Sequence, residues 1–400
     1  MKKPSGKLAA VSLVLVLATA VATRAQTPTF TLLHSFTGSS ADGAIPVAPL
    51  LRDAAGNLYG ATAFGGSTNC SVFGDVGCGT IFKLDPSGNE TVLHMFSGGD
   101  GAFPAGGLVM DAAGNLYGTT VNGGGAGLCR NFGCGTVFKL DPSGNLTVLH
   151  SFIGSSDGAN PTAGLIMDAA GNLYGTAGFG GDFGPGAVFK LDASGNETTL
   201  HSFSGPDGRE PSAPLIMDAA GNLYSTTFRG GAADRGNVFK LDTSQRLTVL
   251  HEFTGLADGG NPAAGLIMDA AGNLYGTTGS GGVAGVGTVF KLDPSGNLTV
   301  LHSFTGGDDG GNEALEGIPA AGLIMDAANN LYGTAFRGGA ARLGNVFKLD
   351  PVGNETVLYS FTGGSDGSGP LAPLIMDAAG NLYGTASSFM ASGSFGSVFK

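Results

Sequence analysis

Apolar and polar positions alternate in short bursts along this chain, and the bursts recur. From Ala163 the sequence runs AGLIMDAAGNLYGTAGFGGDFGPGAVFKLDASGNETTLHSFSG. Four runs in it have the β-branched and aromatic make-up of strands: GLIMD, NLYGT, AVFKLD and ETTLHSF, here strands a to d. The a–b and c–d connections share one chemistry: Asp, two residues, Gly, Asn. The Asp side chain can cap such a turn, the Gly supplies a positive φ, and the Pro of DPSGN presets the first turn residue. DAANN places Asn329 where the other copies have Gly, and Asn takes the left-handed conformation most readily. Gln245 in DTSQR suits it poorly, so a strained or altered turn is expected there.

The unit repeats. Its turn aspartate falls at Asp53, Asp111, Asp168, Asp218, Asp269, Asp326 and Asp377, at spacings of 58, 57, 50, 51, 57 and 51 residues. Four antiparallel strands make one small twisted sheet that cannot bury both faces alone, so the units must stack. Tyr59 and its six counterparts hold one register, and 14 of the 25 Phe lie in the VFK/IFK and HSF phrases, two per unit, where they can serve that stacking. A seventh d phrase, Phe30–Phe36, precedes any a, b or c, and the last unit stops at its c phrase, GSVFK. A ring lets the first strand complete the last sheet and leaves no bare edge. The expected fold is all-β: a seven-bladed β-propeller of four-stranded antiparallel blades, its last blade being about 371–400 plus 30–36. An open β-solenoid is the alternative, and it leaves the complementary ends unexplained.

Composition adds a location. Lys2, Lys3 and Lys7 precede an apolar run from Leu8 to Ala22, and Thr23-Arg24-Ala25 fits a small-x-Ala cleavage site. Residues 1–25 therefore read as a secretory signal peptide, with 26–400 as a single propeller domain. Removing four cations takes the net charge from −12 to −16, which disfavours nucleic acid. No second long apolar run and no anchor-like tail are seen, so a soluble, secreted or periplasmic monomer is expected, with a cell-surface location as a variant. The 73 Gly suit turns in an all-β chain.

The phrases GLIMDAAGNLYGTT, GTVFKLDPSGN and LTVLHSFTG resemble the bacterial GloVer tandem repeat of secreted choice-of-anchor proteins. They are also similar to NHL and gluconolactonase-like propeller blades, which share a D-x-x-GN-[LI]-Y core. The resemblance spans residues 30–400 and implies an exported propeller. It brings no established chemistry.

Repeated chemistry reads as structural. His34, His94, His150, His201, His251 and His302 share one register, with Tyr359 in the remaining copy. Equivalent positions in neighbouring blades lie too far apart for histidines to share a metal, and a Tyr in the series suits packing. The lysines of VFK/IFK are expected to pair with the Asp two residues later; a basic binding ring is the alternative. The DAAGN aspartates offer one carboxylate per turn, which suits capping better than calcium. Asn89, Asn145, Asn196, Asn297 and Asn354 match the glycosylation sequon but also sit in the c–d hairpin, the simpler explanation. No cofactor and no metal are expected. Cys70 and Cys78 share one b–c loop and Cys129 and Cys134 the next, which suggests two local disulfides, cross-pairing being the alternative.

Function is sought where the repeats differ. The b–c and d–a loops carry the insertions and emerge on one face, where binding usually resides. They bear Arg130, Arg229, Arg235, Arg337 and Arg342, with Phe64, Phe179, Phe228 and Phe336 in a shared F(R)GG context, and Phe73, Phe132, Phe183, Phe389 and Phe395 besides. Arg with aromatic groups can hold a carbohydrate or a protein partner. Inter-blade packing and solvated charge are the plainer roles. The d–a loops add Asp-Gly at Asp42, Asp100, Asp157, Asp207, Asp258, Asp309 and Asp366, either as plain turns or as a ring of carboxylates that attracts a cation. The expected function is an exported, non-enzymatic binding propeller. The alternatives are a lactonase- or lyase-type enzyme working at the axial channel, and a purely structural surface module.

Overall fold

The computed structural model describes residues 28–400, apart from 40, 68–69, 71, 73–75, 126, 130–131, 312–320 and 389–394. Arg130, Phe73, Phe389 and the expected signal peptide lie outside the described residues.

The four-strand unit folds as its pattern requires. In the third blade the strands are Ile166–Met167, Leu173–Ala177, Ala187–Leu191 and Glu197–Ser202, each antiparallel to the next. Seven such sheets form a ring. The last comprises Ile375–Met376, Leu382–Ala386 and Ser397–Phe399, and it is completed by Leu32–Ser35. Backbone bonds from Thr31 N to Lys400 O (2.7 Å), Lys400 N to Thr31 O (2.8 Å) and Phe36 N to Gly396 O (2.9 Å) extend this pairing at both ends. The fold is therefore a seven-bladed β-propeller closed by its first strand.

Blades are held together by phenylalanine. The d-strand Phe of each blade meets the c-strand Phe of the next edge-on: Phe36–Phe82, Phe96–Phe138, Phe152–Phe189, Phe203–Phe239, Phe253–Phe290, Phe304–Phe347 and Phe361–Phe399. Ring centroids lie 5.1–5.5 Å apart. All fourteen rings are buried, and edge-on pairs add about 0.5–1.5 kcal/mol each beyond their burial. The glycine of LYGT makes room for them: a Cβ on Gly175 would lie 2.5 Å from Phe189 Cζ. In the fourth blade Ser225 occupies that position and donates to the carbonyls of Ala213 and Pro214.

Strand d carries a feature that alternation alone does not reveal. Opposite strand c, Val188 pairs with His201 but Phe189 with Thr199, leaving Leu200 as an extra residue. The same shift recurs in the other six blades, the closing strand included. Such a bulge bends a strand and re-aims its side chains.

The turns follow their predicted chemistry. Gln245 is in the left-handed region at φ 63°, beside 61° for Asn329. Its turn is not altered, since Asp242 N still reaches Arg246 O (3.1 Å) and Gln245 N reaches Asp242 O (2.8 Å). The strain is confined to one residue. Gln245→Gly is expected to stabilise the fold by about 0.5–1 kcal/mol, seen as a higher urea midpoint at unchanged slope.

Candidate functional site

Most repeated polar groups are consumed by the blades themselves. The strand-d histidine turns to the Asp-Gly aspartate of its own d–a loop: His94–Asp100 and His201–Asp207 at 2.8 Å, His150–Asp157 at 3.2 Å and His251–Asp258 at 3.3 Å. Tyr359 performs the same task, donating to Asp366 at 2.9 Å, which explains why a Tyr substitutes for His there. The two series, considered separately in the sequence, are thus two halves of one contact. The same aspartates accept backbone N–H groups at the end of strand d, as Asp207 does from Ser204.

The a–b aspartates are capped from three directions. Asp168 accepts from Asn172 N, from Asn172 Nδ2 and from the Tyr174 hydroxyl at 3.0 Å. The sequon asparagines are engaged alike: Asn196 Nδ2 donates to Asp192 at 2.9 Å. The lysines sit over tyrosine rings, with Nζ 5.6–5.9 Å from the ring centre in all seven blades. That contact crosses from strand c to strand b, as in Lys190 opposite Tyr174, and stands beside the expected pairing: after the bonds from Asn196, the Lys190 charge also helps to lower the pKa of Asp192, two residues on. The ring contact is worth about 0.5–1 kcal/mol at exposed sites.

These bonds set the protein's response to acid. Burial works against the charge of Asp207, yet bonds from His201 and Ser204 hold it down at about 2; Asn381 and Tyr383 do the same for Asp377. Their folded values lie below the unfolded one, so their stabilisation is complete above about pH 4 and is lost as pH falls through about 2. Glu90 and Glu355 act oppositely. Burial, then the charges of Asp42 and Asp309 respectively, push them up to about 7. They weaken the fold as pH rises from about 4.5 to 7. In metal-free buffer the melting temperature is expected to peak between about pH 4 and 5 and to fall on both sides, which a melting series from pH 2 to 8 would check.

The axis offers little chemistry. A cavity of about 420 Å³ is lined by residues from all seven blades, among them Val47, Pro49, Gly107, Thr162, Pro214, Ala264, Gly322 and Pro373. The described lining residues are apolar, Gly, Pro, Ser or Thr, without a titratable side chain. It narrows by close backbone approach: a Cβ on Gly164 would lie 2.8 Å from Gly107 N.

The variable face is different. Its two loop types are knitted together by short antiparallel bridges: Gly43–Ala44 with Phe64–Gly65, and Ala102 with Asn122, Ala159 with Phe179, Arg209 with Arg229 and Gly260 with Ser280. Disulfides Cys70–Cys78 and Cys129–Cys134 staple the two longest b–c loops locally. The predicted residues are spread around this face. On the fourth blade Arg229 lies 5.7 Å over the Phe228 ring and 4.0 Å from Glu210, while Arg235 donates to Asn261 at 3.2 Å. Neighbouring Arg209, not anticipated from the repeat, makes a two-pronged bond with Asp234. Phe336 is buried against Gly369, with Arg337 beside it half-buried, and Arg342 is exposed at φ 55°. Phe64 packs edge-on to Phe103 at 5.3 Å. Phe179 is exposed, and it is not alone.

Leu128, Phe132, Ile153, Phe179 and Phe183 are all more than half exposed or at that level (50–74%). They come from three successive loops that touch. Leu128 N donates to Ile153 O (2.8 Å), Asn160 N to Cys134 O (2.8 Å) and Ala159 N to Phe179 O (2.7 Å). The five exposed apolar residues thus lie along a strip of hydrogen-bonded neighbouring loops that runs from the second blade onto the third and holds the Cys129–Cys134 bridge. Leu128 and Ile153 fall outside the aromatic and Arg pattern; their signal in the sequence is an aliphatic residue in an otherwise polar loop.

Comparison with known proteins agrees with this architecture. The extracellular domain of a hybrid two-component system from B. thetaiotaomicron is similar over 93% of this chain, at 10% identity and a TM-score of 0.58. This chain spans 39% of that one, and the likeness concerns the fold alone. A gluconolactonase from Xanthomonas campestris aligns with 78% of this chain and 86% of its own (16% identity, TM-score 0.42). A 6-phosphogluconolactonase from Bacteroides uniformis aligns with 77% and 83% (16%, 0.48). No curated protein matches the sequence significantly. Among the described residues no helix is long and apolar enough to cross a membrane. A sequence model described as the Gloeobacter/Verrucomicrobia repeat matches residues 18–220. With that match over half its length, the chain belongs to the Gloeobacter/Verrucomicrobia repeat family.

Proposed function

We propose that this chain is an exported, non-enzymatic binding propeller that holds a protein partner on its variable-loop face. The observation that carries this reading is the apolar strip Leu128, Phe132, Ile153, Phe179 and Phe183. Contiguous exposed apolar groups on a folded surface mark interaction sites, and aliphatic side chains among the aromatics suit protein better than sugar. The loops that bear them are bridged to one another and stapled by a disulfide, so little ordering entropy is lost on binding. The Arg229 and Arg209 cluster lies a blade away and supplies a polar rim. Export is supported by the apolar leader at 8–22 and by two disulfides, which persist in oxidising compartments. The axial lining supports binding over catalysis, because acid–base work needs titratable groups convergent on one point and the described lining has none.

The test compares wild type with Phe179→Ser/Phe183→Ser as immobilised bait for proteins exported by the producing organism, alongside a glycan array. A discrete partner lost at least tenfold in the variant, with a blank array, is expected. Glycan binding, or capture that the double substitution leaves unchanged, would overturn the assignment.

A further inference from the structure

The histidine–aspartate contact is not equally closed around the ring. Its length follows the turn that carries the aspartate. Six-residue separations give 2.8 Å and seven-residue ones 3.2–3.5 Å, the longest at His302–Asp309, while His34–Asp42, separated by eight, stands at 3.7 Å. At those last two positions the next blade brings in a carboxylate. Glu90 opens strand d of the first blade and Glu355 that of the sixth. Three other blades have Leu there: Leu146, Leu247 and Leu298.

Two clusters result, His34/Asp42/Glu90 and His302/Asp309/Glu355, each with ligand atoms within 4.8 Å of one another. In both, the histidine Nε2 and the glutamate Oε1 are inaccessible to solvent and have no hydrogen-bond partner among the described residues. Buried polar atoms are seldom left so. Here the same pair of atoms is orphaned at two independent junctions. A third glutamate serves as an internal control. Glu197 reaches the His150 junction, but Thr199, where the other two blades have Val92 and Val357, sets its hydroxyl between Glu197 at 3.1 Å and Ser156 O at 2.9 Å, which share its one proton, and His150 keeps its aspartate at 3.2 Å.

We propose that the two open junctions each bind one divalent transition-metal ion, through one imidazole nitrogen and two carboxylates contributed by adjacent blades. A nitrogen with two oxygens suits zinc. His34 Nε2 stands 3.7 Å from both Asp42 and Glu90 oxygens, close to the separation of two ligands that share an ion at about 2.0–2.2 Å. The three side chains keep 10–18% exposure, so solvent reaches the junction though not the orphaned atoms themselves. One site holds His34, a residue of the closing strand, so its ion would clamp the ring where it is joined. The sites need no histidines that share an ion, because each cluster uses only one and takes its glutamate from the neighbouring blade.

The test is zinc stoichiometry on untagged, chelator-stripped protein, by titration calorimetry and by elemental analysis after dialysis. Wild type is expected to retain about two ions per chain and to melt several degrees higher with zinc. Glu90→Leu/Glu355→Leu, which copies the residue the protein itself uses in three blades, is expected to fold, to retain none and to show no shift. Glu197→Leu is expected to retain both. Absence of retained zinc in folded wild type, or uptake unchanged in the double leucine variant, would overturn the proposal.

Discussion

A chain lacking residues 28–36 is expected to lose the ring altogether. Those residues supply the fourth strand of the last blade, pairing Leu32 with Phe399 and Ser35 with Ser397. They also supply Phe36, whose buried ring meets Phe82 of the first blade, and Phe30, stacked on Tyr359 at 4.1 Å and 5.7 Å from Phe399. Burying Phe36 fully and Phe30 and Leu33 in part is worth roughly 4–6 kcal/mol together. That is comparable to the lower end of an ordinary domain's whole stability, about 5–15 kcal/mol. Truncation would also expose Ser397–Phe399 as an unpaired apolar edge, an invitation to aggregate. Gel filtration and circular dichroism of the truncated protein would show aggregate or loss of the native spectrum, and a synthetic 28–38 peptide supplied in trans should recover part of it. Unchanged melting of the truncated chain would show that the seam is dispensable.

Phe239→Ala is expected to cost about 3–5 kcal/mol, read from urea unfolding. The ring is fully buried and forms one half of the Phe203–Phe239 contact that joins the third and fourth blades. Its removal leaves a cavity against a neighbour fixed by the same packing, so relaxation is limited. Because Phe138, Phe189, Phe290 and Phe347 occupy the same environment at 0% exposure, alanine at each should fall in the same range. Phe239→Leu should cost less, since it keeps most of the volume. A loss under about 1 kcal/mol would mean that the blades do not depend on this contact.

Much of this was legible in the residues. GLIMD, NLYGT, AVFKLD and ETTLHSF become strands where their alternation puts them, and the orphan phrase at Phe30–Phe36 becomes the closing strand. The pairs Cys70–Cys78 and Cys129–Cys134 follow from their shared loops. The capping of Asp168 by Asn172 lies within five residues and is local turn chemistry. Less legible were contacts whose partners are set by the bulge in strand d, such as His201 with Asp207, or by cross-strand register, such as Lys190 over Tyr174. Least legible were contacts between blades, such as Glu90 beside His34.

The amino-acid order by itself determined the strand phase, the number of blades and the way the ring closes, because period-two burial, turn chemistry and unpaired edges act on neighbours in the chain or on its two ends. Only the tertiary structure decided which rim groups meet across a junction, and which loop residues merge into one apolar strip. Those meetings join residues some 20 to 56 positions apart, Ala159 N to Phe179 O at the near end and His34 to Glu90 at the far end. The angle between blades sets them, and that angle is a product of packing all seven at once.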